Sequence, residues 1–106
     1  MIIKKHTSNQ KTVGPMIINE YKINSDFSAA LIEINGEHRK MKCPTQDRMY
    51  FILSGKGKFI IDDVENEVGP DDLIFIAKGT PYNIIGEMKY FSICSPEFNP
   101  KDDVLL

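Results

Sequence analysis

Turn residues divide this chain into short apolar runs, and that spacing suits strands and little else. Asn35-Gly36, Gly55-Lys56-Gly57, Asp62-Asp63, Gly69-Pro70, Gly79-Thr80-Pro81 and Gly86 punctuate the runs MYFIL, KFIID, DLIFIA and KYFSIC. Upstream, Met16 to Ile23 and Phe27 to Ile34 are β-branched or apolar runs separated by Asn24-Ser25-Asp26. No segment keeps a helical period. Short strands at near-regular spacing predict a sandwich or barrel. The run Met49 to Leu53 is apolar at every position, and Leu73 to Ala77 repeats the pattern. A strand with one solvated face would alternate, so both faces of these strands call for a cover. One face meets the internal core. The other is expected to meet a second subunit in a homodimer, or else to lie under loops or the N-terminal strand.

The chain has 106 residues, 42% of them hydrophobic, which predicts a single domain over 1–106. Residues 1–15 read as an N-terminal strand or arm. Residues 95–106, with Pro96 and Pro100, read as an extended C-terminal tail whose Val104-Leu105-Leu106 end is expected to dock as a short apolar cap. Thirteen basic and fifteen acidic residues are interspersed and the net charge is −2. A nucleic-acid footprint needs a clustered basic stripe, so no nucleic-acid partner is expected. The N-terminus lacks an apolar signal core and no run is long enough to span a bilayer, which predicts a cytoplasmic protein with no membrane association. Cys43 and Cys94 share no CxxC spacing and read as free thiols.

Two segments carry a family resemblance: Gly36 to Gly57, GEHRKMKCPTQDRMYFILSGKG, and Gly69 to Asn83, GPDDLIFIAKGTPYN. They resemble the two motifs of the cupin superfamily, which implies an all-β, cupin-type jelly-roll sandwich or barrel. In that family three histidines and a glutamate bind a divalent metal in the barrel mouth. Counting back from Gly55, the glutamate position holds Arg48. Counting on from Gly79, the third histidine position holds Tyr82. The first two histidine positions hold Met41 and Cys43 with the longer spacer, or Lys42 and Pro44 with the shorter. Strand alternation favours the longer spacer, because it sends Met41 and Cys43 inward and leaves Lys40 and Lys42 outside. The shorter spacer would aim His38, Lys40 and Lys42 inward beside Arg48, with strong repulsion. Arginine has no lone pair to offer a cation, and tyrosine ligates only as phenolate. No metal or other cofactor is therefore expected. His6 and His38 lie off the motif positions and read as solvent-facing.

Alternation that buries Tyr50 and Ile52 also buries Arg48. A buried guanidinium requires an anion, from a ligand or from a protein carboxylate. Asp47, Glu33 and Glu37 are the nearest carboxylates in sequence, although Asp47 alternates outward. Tyr50 and Tyr82 offer a ring face and a hydroxyl to a polar ligand, or serve as core aromatics; Tyr90 reads as core. Cys43 reads as a buried structural thiol near the site, Cys94 as core, and Gly55-Lys56-Gly57 as a two-glycine hairpin. The resulting expectation is a metal-free barrel binding a small polar or anionic, sugar-like molecule through Arg48, Tyr50, Tyr82, Cys43 and Met41. The alternatives are a metal-dependent cupin enzyme with unorthodox ligands, such as Cys43 and His38, and a vestigial barrel kept for partner contacts.

Overall fold

The computed structural model describes residues 1–106. Nine strands form in chain order: β1 Asn9–Val13, β2 Met16–Tyr21, β3 Ser28–Glu37, β4 Met41–Lys42, β5 Asp47–Ile61, β6 Val64–Val68, β7 Leu73–Ile76, β8 Tyr82–Ser95 and β9 Val104–Leu105. Two 3-10 turns, Lys5–Thr7 and Pro100–Asp102, complete the list of regular elements. Every pairing is antiparallel. One path runs β1-β2-β3-β8-β4-β9, and β5 pairs with β6, β7 and β8. The long strands β5 and β8 thus link both halves of a curled sheet, and the inward side chains meet in its interior. The all-β barrel expected from turn spacing and from the motif resemblance is the fold observed.

Register follows the period-2 pattern. On β5, Arg48, Tyr50 and Ile52 are buried while Met49, Phe51 and Leu53 are exposed. On β7, Ile74 and Ile76 point in and Leu73 and Phe75 point out. A β5–β6 hairpin closes on Asp62-Asp63, both at positive φ (51° and 65°), between the paired Ile61 and Val64. Two consecutive left-handed residues form the turn whose twist matches the flanking strands, and Asp tolerates that region better than most residues.

One expectation is corrected here. Gly55-Lys56-Gly57 is not a hairpin; β5 runs through it, shifted in register by a bulge between Ile52 and Ser54. The glycines serve close approach instead. A Cβ on Gly57 would lie 2.5 Å from the Ile85 carbonyl oxygen, and one on Gly86 would lie 2.6 Å from the Gly57 Cα. Glycine here lets two paired backbones cross tightly where the sheet bends.

The tail also departs from expectation. It does not dock an apolar cap: Val104, Leu105 and Leu106 are 40, 51 and 55% exposed. Val104 and Leu105 instead add a short strand beside β4, with Met41 opposite Leu105 and Lys42 opposite Val104. Backbone pairing rather than burial holds this end. The N-terminal segment supplies β1, which pairs only with β2 at the sheet edge and leaves the outer face of β5 and β7 uncovered.

Candidate functional site

The inward face of β5 meets the start of β8 and the short β4 at one end of the barrel. Tyr82 lies opposite Met41 across the β4–β8 pair. Arg48 and Tyr50 reach the same region by alternation along β5, and Gln46, one step earlier in the same phase, joins them. Arg48 is 4% exposed and organises the cluster. Its Nη1 donates to the Tyr82 hydroxyl at 2.7 Å, and Tyr82 and Tyr50 share a hydroxyl–hydroxyl bond of 2.9 Å. Its Nη2 donates to Gln46 Oε1 at 3.1 Å and to Asp103 Oδ1 at 2.5 Å. The guanidinium carbon lies 5.4 Å from the Phe98 ring centroid, within cation–π range.

The anion that meets Arg48 is therefore Asp103, in the C-terminal tail. None of the three carboxylates near it in sequence does so. Asp47 accepts from the Lys78 backbone N–H at 2.9 Å, and Glu37 accepts from Asn83 Nδ2 at 2.8 Å. Glu33 lines a separate surface groove with Lys56 and Lys89.

A cleft of about 480 Å³ opens over this cluster, and Met41, Arg48, Tyr50, His38, Cys94 and Asp103 are among its lining residues. Tyr82, 1% exposed, lies just behind the wall and acts on the cleft through Arg48 and Tyr50. Cys43 is 3% exposed, does not line the cleft, and sits 3.6 Å (Sγ to Oγ1) from Thr45. The inward placement of Met41 and Cys43 is the phase of the longer motif spacer. Lys40 is exposed and pairs with Asp63. Tyr90 is core, its hydroxyl directed at the Met16 sulfur at 4.0 Å. Cys94 is buried as expected but also reaches the cleft; burial pushes its thiol up and keeps it protonated.

His38 is the main departure from the sequence reading. It is half-buried, lines the cleft, and stacks on Tyr82 with ring centroids 5.7 Å apart and planes 28° apart. Simple alternation would have grouped it with Lys40 and Lys42. Arg39, at φ 91°, breaks the strand between β3 and β4 and turns the imidazole inward. The ring's Nδ1 lies 3.0 Å from the Arg39 carbonyl oxygen. A carbonyl only accepts, so Nδ1 carries the proton and Nε2 keeps its lone pair. Burial holds the His38 pKa below the ordinary 6.5, and the Arg48 charge acts in the same direction. The ring is neutral at pH 7. An NMR titration of the His38 ring protons is expected to give a midpoint below 6.5; a midpoint above it would contradict the buried geometry. Protonation then costs folding energy, so this group's contribution is present above pH 6.5 and is lost as pH falls through the lowered pKa.

Burial likewise raises the Tyr50 and Tyr82 pKa values, so both hydroxyls are neutral; one proton lies in their mutual bond and one is left to donate. The donor set does not fit a divalent cation. At the family's glutamate position stands a guanidinium already paired with Asp103, at the third histidine position a neutral phenol accepts from it, and no three His, Cys, Asp or Glu side chains converge anywhere in the chain. What the arrangement offers is a fixed cation, the Tyr50 hydroxyl and a neutral imidazole on one cleft, with Tyr82 behind them.

Alternation alone would have found Gln46. Asp103 lies 55 residues from Arg48 and no local pattern links them.

No protein-family model matches the chain. An uncharacterised protein of Methanocaldococcus jannaschii is 28% identical over 93 residues, covering 83% of this chain and 74% of that protein. Among solved structures, Streptomyces Pac13, a nucleoside dehydratase solved with uridine in a tyrosine-to-phenylalanine variant, superposes with a TM-score of 0.94 at 17% identity. That match covers 100% of this chain and 89% of Pac13. KdgF from Halomonas gives 0.85 at 11% identity over 95% and 97% of the two chains. The cupin domain of Schizosaccharomyces pombe Cnp3 gives 0.75 at 15% identity over 86% and 70%. With 86 to 100% of the chain superposing on these barrels, the protein has the cupin-type fold.

Proposed function

We propose that this protein binds a small polar molecule of the nucleoside or sugar class in the cleft beside Arg48, with the unprotonated nitrogen of His38 as a hydrogen-bond acceptor. The observation that carries this reading is the cleft itself. Its volume of about 480 Å³ suits one small molecule, and polar groups converge on it from three separate segments: His38 between β3 and β4, Arg48 and Tyr50 on β5, and Asp103 in the tail. Tyr50 and His38, the latter backed by the stacked Tyr82 ring, provide aromatic lining, and the Arg48 guanidinium provides N–H donors. The Pac13 structures support the class of ligand, since that barrel was solved with uridine. Pac13 was also solved with uridine in a histidine-to-glutamine variant. Met41 contributes apolar wall, and Cys43 supports the wall from behind.

Calorimetric titration with uridine and with glucose tests the reading. One saturable site per chain for at least one probe is expected, weakened about ten-fold by Tyr50→Phe, the effect of one lost hydrogen bond of about 1.4 kcal/mol. Saturable binding of neither probe would overturn it.

We further propose a cytoplasmic homodimer whose partner molecules are small ligands and not nucleic acid. No helix is long and apolar enough to cross a membrane. Met49 and Phe51 on β5 lie opposite Phe75 and Leu73 on β7, and these four are 38, 38, 56 and 64% exposed. Contiguous apolar surface on one sheet face is the composition of an interface core. Light scattering is expected to give twice the 12.1 kDa chain mass, reverting toward it in Phe51→Glu. The monomer mass for the unmodified chain at micromolar concentration would refute the dimer.

A further inference from the structure

The C-terminal tail crosses the mouth of the cleft and fills the one position where an anion meets Arg48. Its root is tied down: Gln46 Nε2 donates to the Glu97 carbonyl at 3.1 Å, and the Phe98 N–H donates to Ser28 Oγ at 2.9 Å. Beyond Phe98 the attachments are polar and few. Asp102 accepts from Thr45 Oγ1 at 3.0 Å, Asp103 pairs with Arg48, β9 adds two residues to β4, and the Leu106 N–H reaches the Lys40 carbonyl. Val104, Leu105 and Leu106 stay 40, 51 and 55% exposed, so opening this segment forfeits only about half the hydrophobic energy of fully buried side chains.

Arg48 is at the same time incompletely satisfied. Asp103 engages it through one oxygen on Nη2. The Nη1 atom has Tyr82 and, at 4.0 Å, the weakly accepting Met41 sulfur. The Nε atom is buried with no hydrogen-bond partner at all. A guanidinium presents its N–H groups as a planar fork matched to two parallel acceptor oxygens. A buried N–H left unpaired is costly, so a site with one unused is matched to an acceptor it does not yet hold.

We propose that Asp103 is a displaceable stand-in for the ligand's own oxyanion: a carboxylate or phosphate on the bound molecule takes the Arg48 fork through two oxygens and releases the tail segment beyond Phe98 from the cleft mouth. This rests on the reading that the cleft binds small molecules, and it narrows their class to those carrying an oxyanion. Exchange conserves the charge pairing of Arg48, since one anion replaces another, and it adds an acceptor that Asp103 does not supply. Glu97, which also lines the cleft, stays with the root and opposes anions bound away from Arg48.

The test is an amide-resolved NMR titration of the full chain with inorganic phosphate and, separately, acetate, in the unmodified protein and in Asp103→Asn. In the unmodified protein, saturation with at least one of the two is expected to move the Val104, Leu105 and Leu106 amides to values of unstructured chain while β5 and β8 stay folded. The Asp103→Asn variant is expected to bind the same anion about ten-fold more tightly, as when a competing closed state near 90% occupancy is removed. Removing one negative charge alone would tighten binding without moving the tail, so the tail amides decide. Anion binding with the tail amides unmoved in the unmodified protein, no binding of either anion, or equal affinity in Asp103→Asn would each overturn the proposal. Phosphate binding against acetate binding tells which oxyanion the fork prefers. Uridine lacks an oxyanion, so its binding with no response to phosphate or acetate would sink this inference alone; tail release by phosphate without uridine or glucose binding would sink the earlier reading of ligand class alone.

Discussion

Arg48→Met is expected to lower the unfolding free energy by about 3 kcal/mol, measured by denaturant titration against the unmodified chain. The loss arises from what the substitution leaves behind. Gln46, 2% exposed, keeps a carbonyl oxygen with no donor, and Asp103 keeps a charge with no partner. Each unpaired buried acceptor costs about 1–3 kcal/mol, and breaking one side of a buried ion pair costs about 3–5 kcal/mol. Asp103 is the more exposed member of the pair, 18% at the side chain against 5% for Arg48, so water recovers part of that cost. Tyr82 retains its bond to Tyr50 and contributes less. Adding Asp103→Asn to the Arg48→Met chain should then recover part of that loss, because the stranded charge is gone. A methionine variant as stable as the unmodified chain, or more stable, would show that the ion pair does not hold the site together.

Gly86→Ala should be still more damaging, by more than about 4 kcal/mol or with loss of soluble protein. Gly86 lies opposite Gly57 where β5 and β8 pair, at φ 153°. An added Cβ would meet the Gly57 Cα at 2.6 Å and the Lys56 carbonyl oxygen at 2.7 Å. Both contacts are backbone, so no rotamer relieves them, and separating the strands breaks ladder hydrogen bonds on either side. Gly69→Ala is the matched control. A Cβ there meets nothing within 4 Å, and the residue is not at positive φ. Its expected effect is within about 0.5 kcal/mol. Equal stability of the two variants would remove the close-approach account of the glycines in β5 and β8.

The strands were legible because their signal is local. Alternation on β5 follows from side-chain pleating, so Tyr50 and Ile52 could be assigned inward together, and Arg48 with them; on β7, apolar at every position, only the structure shows that Ile74 and Ile76 point in. The same logic placed Met41 and Cys43 inward. It failed at His38, because a single positive-φ residue, Arg39, resets the phase and leaves no mark in the hydrophobic pattern. It failed at Gly55-Lys56-Gly57 for a related reason. Glycine serves a turn and a close strand crossing equally well, and only the partner strand distinguishes them.

The sequence by itself determined the strand-and-turn order and the inward phase of Arg48, Tyr50 and Ile52, and it set Arg48 and Tyr82 where the resembled motifs carry metal ligands. It also established that a buried Arg48 requires an anion, since charge burial is a property of the residue and its phase. Only the tertiary structure decided which anion. Asp103 reaches Arg48 because the tail folds back along β4, a contact 55 residues long in sequence that rests on backbone pairing, which is nearly independent of side-chain identity and so writes no pattern into the chain.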